Sequence, residues 1–230
     1  MLFNSICIFK KKEYAEFVCP NPFKSVHITP SGSVYMCCPA YIKYNEIGNI
    51  FKNNLEEIWR GKKAEKIRAK IRCGDYSMCS LNICNQKREI RAEMLPNKLK
   101  MPEYITLAYD TECSLRCITC RDKELHNKKE QTEKIDEFLL PYLKEARFII
   151  ISGSGEAFYS PHSRALIKKI AALNKTALWN INTNGLLFNA ENCRALGIEG
   201  RINEVLFSLP AYDRALYEKI MRGSDYYTVI

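Results

Sequence analysis

Tyr104-Ile105-Thr106-Leu107-Ala108-Tyr109, followed by Asp110-Thr111-Glu112 and then Cys113-Ser114-Leu115-Arg116-Cys117-Ile118-Thr119-Cys120, is the stretch that decides the fold. Residues 104–109 alternate and are rich enough in β-branched and aromatic side chains to predict a strand. The three cysteines follow in a C-x3-C-x2-C spacing on the loop that leaves it. Ligands bind beyond the carboxyl ends of parallel strands, so this is where a reactive group belongs. Three thiolates at this spacing can hold three irons of a [4Fe–4S] cube and leave the fourth iron open to a small molecule. A zinc ion is the competing reading. It normally takes four protein ligands in a closed site, and no fourth cysteine lies nearby in sequence.

Downstream, strands and helices alternate. Strands are predicted at 148–151, 177–182 and 204–209, and helices at 133–144, 163–173, 190–196 and 213–221. Together with 104–109 this makes about four β-α units, which predicts a parallel sheet or part of a (β/α) barrel. Upstream, the texture changes. Val26–Ile28, a Pro30-Ser31-Gly32 turn and Val34–Met36 predict a β-hairpin, with Gly32 supplying a positive φ. Leu55, Ile58 and Trp59, then Ala64, Ile67 and Ile71 across Gly61, show helical spacing and belong to a core. Met94–Met101, with Pro96 and several lysines, is expected to be the linker. The expected fold is α/β: a small cysteine-rich α+β domain over 1–95 and a partial barrel over 96–230.

Eleven cysteines are many for 230 residues, and an odd count with close spacings suits metal or redox chemistry better than a disulfide framework. The apolar stretch Leu2–Phe9 precedes Lys10, Lys11 and Lys12, the reverse of a secretory signal, and no apolar run would span a bilayer. A cytoplasmic protein with no membrane partner is expected. The 35 Lys and Arg against 26 Asp and Glu give a charge of +9. That surplus suits a solvated basic face, an acidic electron donor or an acidic substrate. No recognition module frames the basic residues for nucleic acid. His27, His126 and His162 are expected to be ordinary surface or loop histidines, and Cys7 and Cys193 free or apolar thiols.

The three-cysteine loop, with three later segments at strand ends, resembles the radical S-adenosylmethionine superfamily. Ser152-Gly153-Ser154-Gly155-Glu156 is similar to the family's glycine-glycine-glutamate-proline segment. The resemblance implies that Gly153, Ser154 and Gly155 let backbone approach the cofactor and that Glu156 accepts a hydrogen bond from its ammonium group. Asn182-Thr183-Asn184-Gly185 is similar to the polar segment after the third strand, which implies cofactor contacts for Asn182 and Thr183. Ser208 stands where the family often has a hydroxyl near the methionyl carboxylate. Thr119 replaces an aromatic residue usual in the family, Ser154 a glycine and Ala157 a proline.

The resemblance implies a [4Fe–4S] cluster on Cys113, Cys117 and Cys120, S-adenosyl-L-methionine as co-substrate, and a donor such as flavodoxin or ferredoxin. The expected outcome is a 5′-deoxyadenosyl radical acting on a peptide or protein, with no general acid or base assigned. The family core has more β-α units than this sequence supplies, so a truncated, non-catalytic iron–sulfur or zinc protein is the alternative. Cys19-Pro20, Cys37-Cys38, Gly48-Asn49-Ile50, Glu57-Ile58-Trp59, Cys73, Cys79 and Cys84 resemble a SPASM domain, here preceding the barrel rather than following it. That resemblance implies an auxiliary [4Fe–4S] cluster on Cys19, Cys37, Cys79 and Cys84, with Cys38 and Cys73 in reserve. Zinc in a four-cysteine site is the other reading.

Overall fold

The computed structural model describes residues 15–84, 90–96, 98–120, 126–153 and 155–229. The chain is mixed α/β and divides into two compact units, Met1–Tyr104 and Ile105–Ile230. The division falls past the Met94–Met101 segment. That stretch is fastened within the first unit: the Trp59 indole donates to the Lys100 carbonyl at 2.7 Å and Arg60 to that of Leu99 at 3.2 Å.

In the first unit, β1 (Phe17–Val18) leads through the single turn α1 (Asn21–Lys24) into β2 (Ser25–Ile28), β3 (Ser33–Tyr35) and β4 (Gly48–Asn49). The expected hairpin forms. His27 pairs with Tyr35 and Ile28 with Val34, antiparallel, and Gly32 takes φ +76° in the turn. β4 adds antiparallel to β3. Helix α2 (Leu55–Trp59) is capped by Asn54, whose side chain accepts from the Glu57 amide. Helix α3 (Lys62–Arg72) follows at once. Leu55, Ile58, Trp59, Ala64, Ile67 and Ile71 are all buried, as their spacing predicts. Arg68 is buried too. Its guanidinium lies 4.1 Å from the Trp59 ring centroid and donates to the Pro22 carbonyl at 2.8 Å, which straps α3 to the α1 turn. Strand β5 (Ile90–Arg91) pairs antiparallel with β1.

The second unit alternates β6 (Tyr104–Leu107), α4 (Lys129–Leu143), β7 (Phe148–Ile151), α5 (Pro161–Leu173), β8 (Leu178–Thr183), α6 (Ala190–Leu196), β9 (Ile202–Phe207), α7 (Arg214–Ile220) and the short α8 (Tyr226–Val229). The strands lie in the order β6-β7-β8-β9. β7 and β8 are parallel with Ile151 opposite Ile181, and β8 and β9 are parallel with Thr183 opposite Phe207. Parallel pairing in this register brings the carboxyl ends of three strands level. Ile105, Ile149, Trp179 and Ile181 fill the sheet's buried positions, and Ile135, Leu139, Ile167 and Ile170 bury the helix faces. β9 is the outermost of these strands among the described residues, and its Leu206 and Phe207 are exposed. Among the described residues no helix is long and apolar enough to cross a membrane.

Candidate iron–sulfur sites

A cavity of about 500 Å³ opens at the carboxyl ends of the second unit's strands. That volume lies within the range of small-ligand sites. Cys113, Cys117 and Cys120 line one part of it. Ser152, Gly153, Gly155 and Glu156 after β7, Asn182 and Thr183 at the end of β8, and Ser208 after β9 line the rest. Ser154 falls outside the described residues.

Backbone and side-chain hydrogen bonds hold these strand ends to one another. The Ser152 amide donates to the Leu107 carbonyl at 3.3 Å, Asn182 donates to the Ser152 hydroxyl at 2.8 Å, and the Ser208 amide to the Thr183 carbonyl at 2.9 Å. The glycines allow two loops to touch. A Cβ on Gly155 would stand 2.6 Å from the Glu112 carbonyl oxygen and 2.9 Å from that of Asp110. Gly153 has φ +106° and lies against Ala108.

Glu156 faces the cavity yet is almost fully buried. One carboxylate oxygen accepts from the Thr183 hydroxyl at 2.8 Å and from the Phe158 amide at 3.3 Å, the other from the Asn184 amide at 2.8 Å. Burial raises its pKa, opposed by these donors. Glu156 therefore braces the β7 loop against the end of β8 from the wall of the cavity.

The cysteine loop rests on α7. The Arg116 amide donates to the Arg222 carbonyl at 2.9 Å and the Ile118 amide to the Ile220 carbonyl at 3.0 Å. Leu115 packs with Tyr217 and Met221, and Cys117 Sγ lies 3.3 Å from Met221 Sδ. Asn184 reaches Cys113 Sγ at 4.0 Å and Ser114 Oγ at 3.5 Å. Asn184 and Met221 are not among the residues the sequence proposes for this site. Asn184 does sit in the quoted polar segment, whereas Met221 carries no local signal, being 104 residues from its sulfur partner.

In the first unit, Cys19, Cys37, Cys79 and Cys84 line one small cavity with Asn21, Tyr41 and Tyr76 and an apolar wall of Ile42, Ile67 and Ile71. Asn21 donates its side-chain N–H to Cys37 Sγ at 3.7 Å, and the Cys19 amide donates to the Tyr76 hydroxyl at 3.1 Å. Burial pushes the Cys37 thiol up to about 12, partly offset by Asn21. Binding of a metal there would have to displace that proton. Cys38 is not in this wall, and Cys73 is disulfide-bonded, so it offers no thiolate.

Among the described residues, no three His, Cys, Asp or Glu side chains converge as they would on a single metal ion. The donor chemistry of both cavities, thiols with amide N–H groups at sulfur, fits an iron–sulfur cluster.

Residues 19–85 match a known family model. It is SPASM, an iron–sulfur cluster-binding domain. The match covers the four cysteines that line the first unit's cavity, and its hairpin and helices. No curated protein matches the chain.

One expectation for the histidines is corrected. His162 is not an ordinary surface residue: both of its ring nitrogens lie 3.0 Å from carboxylates, those of Asp110 and Asp136. His27 sits within β2, and burial lowers it to about 4, so it is neutral near pH 7.

Proposed function

We propose that this protein is a radical S-adenosylmethionine enzyme carrying a SPASM-type auxiliary cluster, and that it modifies a peptide or protein. One observation carries the reading: a single cavity joins the three thiols after β6 to the polar ends of β7, β8 and β9. The iron–sulfur domain match in the same chain supports it. In this reading the four β-α units are part of a (β/α) barrel, and the exposed edge of β9 is where further strands pair.

Cys113, Cys117 and Cys120 would hold one [4Fe–4S] cluster, and Cys19, Cys37, Cys79 and Cys84 the auxiliary one. When bound and reduced, the first supplies the electron that splits S-adenosylmethionine into methionine and the 5′-deoxyadenosyl radical. The chain's own residues bind and orient. Gly153 and Gly155 leave room for the backbone to approach the co-substrate. Glu156 offers a carboxylate at the wall for the ammonium group, and Asn182, Thr183 and Ser208 offer polar groups for the rest. Leu115, Leu209, Pro210 and Met221 are apolar neighbours that limit water around the thiols. The net charge of +9 suits an acidic flavodoxin or ferredoxin as the electron source.

The test is anaerobic reconstitution with iron and sulfide, then reaction with S-adenosylmethionine and dithionite. The expected products are 5′-deoxyadenosine and methionine in equal amounts, lost in Cys117→Ala. Iron bound at the triplet with no 5′-deoxyadenosine would overturn the enzymatic reading.

A further inference from the structure

Three residues before Cys113, Asp110 lies just past β6 and gathers five donors. The Ser160 hydroxyl at 2.5 Å, the Ser163 hydroxyl at 2.7 Å and His162 Nδ1 at 3.0 Å meet one oxygen. The Asn127 amide at 2.8 Å and the Glu112 backbone N–H at 3.0 Å meet the other. The far nitrogen of His162 bonds Asp136 on α4 at 3.0 Å, and the other Asp136 oxygen accepts from the Tyr109 hydroxyl. Asn127 in turn accepts from the Thr111 amide at 2.8 Å. This cluster joins three elements at one point: the strand end from which the cysteine loop departs, helix α4, and the first turn of α5, which the Glu156 loop enters.

We propose that His162 is a positioning residue for the three-cysteine loop: by bridging Asp110 and Asp136 it fixes the start of that loop against α4 and α5. The inference rests on the reading of Cys113, Cys117 and Cys120 as cluster ligands. Its geometry is independent of that reading. A ring with a carboxylate on each nitrogen makes both hydrogen bonds as a donor only when it is imidazolium. A neutral ring would set a lone pair against one carboxylate. The side chain is 18% exposed, so water does not replace the lost partner at little cost.

The ionisable groups facing the ring are Tyr109 and Asp110 from the segment that follows β6, and Asp136 from α4. α5 contributes the hydroxyls of Ser160 and Ser163, which turn to Asp110. Burial alone would lower the imidazole; the hydrogen bonds to Asp110 and Asp136 outweigh it and raise it to about 9. A folded pKa above the unfolded value near 6.5 fixes the sign. The contribution is fully present below about pH 6.5 and is lost as pH rises through about 9.

The experiment uses the full chain, wild type, His162→Gln and Asp136→Asn. Deuterium uptake is followed over residues 105–120 of the protein as isolated, and iron release to a ferrous chelator after anaerobic loading, from pH 6.5 to 10. His162→Gln is expected to raise uptake in this segment at pH 7 and to release triplet iron about tenfold faster, with no inflection near pH 9. In wild type, release should accelerate through about pH 9. Asp136→Asn removes one of the carboxylates and should move that inflection to lower pH. A merely structural contact would not shift a midpoint in this way. Uptake and release in His162→Gln equal to wild type, or an inflection unmoved by Asp136→Asn, would overturn the inference. If His162→Gln does not fold, the Asp136→Asn midpoint decides alone. If wild type holds no iron at the triplet, the proposed function fails, and the uptake comparison still decides the role of His162.

Discussion

Asn21 sits on the α1 turn with its amide aimed at Cys37 Sγ. The turn is itself held by Arg68, which donates to the Pro22 carbonyl. An N–H directed at a cluster sulfur stabilises the reduced, more negative state and raises the reduction potential. Asn21→Leu keeps comparable volume and removes the donor. The midpoint of the first unit's cluster is therefore expected to move to more negative values by tens of millivolts in an EPR-monitored titration. An unchanged midpoint would mean that Cys37 is not a ligand or that Asn21 turns away once the cluster is bound. The residue scale is also where the sequence was least legible. Asp110, Asp136 and His162 lie 26 and 52 residues from one another's partners, and no spacing rule links them. Only the fold brings them together, so an isolated His162 reads as an ordinary histidine. The cysteines were legible because their ligand chemistry is dense in the chain itself: five of the seven candidates have another within five residues, and only Cys19 and Cys37 stand apart.

At the scale of elements, period and punctuation carried the reading. The hairpin at β2 and β3 follows from alternation around Gly32, and α3 from Ala64, Ile67 and Ile71 on one face. Strand β7 and helix α6 begin and end where the pattern places them. The departures are at ends: α4 starts at Lys129 rather than Glu133, and β9 stops at Phe207 rather than Leu209. Polar first turns carry little periodic signal, and an exposed strand loses the burial that would extend its alternation. How the loops approach one another was not legible, because a glycine in sequence does not say what it lies against. Gly155 makes the case. Its missing side chain is what lets the β7 loop rest on the Glu112 and Asp110 carbonyls, and backbone on both sides cannot yield as a flexible side chain would. Gly155→Ala is expected to cost about 1–3 kcal/mol in chemical denaturation and to lower iron retention at the triplet. Gly197→Ala, whose Cβ would meet only ordinary contact but which has φ +73°, is the comparison: strained locally, yet leaving iron retention alone. Equal iron loss in both variants would remove the loop contact from the argument.

For the whole molecule, the decisive property is the division into two compact units, each with its own cysteine-lined cavity. Residues 19–85, which match the iron–sulfur domain, lie entirely in the first unit, and the C-x3-C-x2-C loop entirely in the second. Among the described residues, the first unit's cavity is lined by residues of 19–84 and the second unit's by residues of 113–221. If each thiol set closes on its own cube, metal content should partition by unit. A fully reconstituted chain would carry about eight iron and eight sulfide, the sum of two [4Fe–4S] cubes. Cys117→Ala should then fall to about four while keeping the first unit's EPR signal, and Cys37→Ala should fall to about four while keeping the signal that S-adenosylmethionine perturbs. The two variants together distinguish independent sites from a shared or interdependent one, since a single mutation that empties both cavities would show that one cluster is required for the other to form. Zinc recovered in place of iron, and lost in Cys37→Ala, would instead assign the first cavity a zinc site, and the iron–sulfur reading of that unit would have to be abandoned.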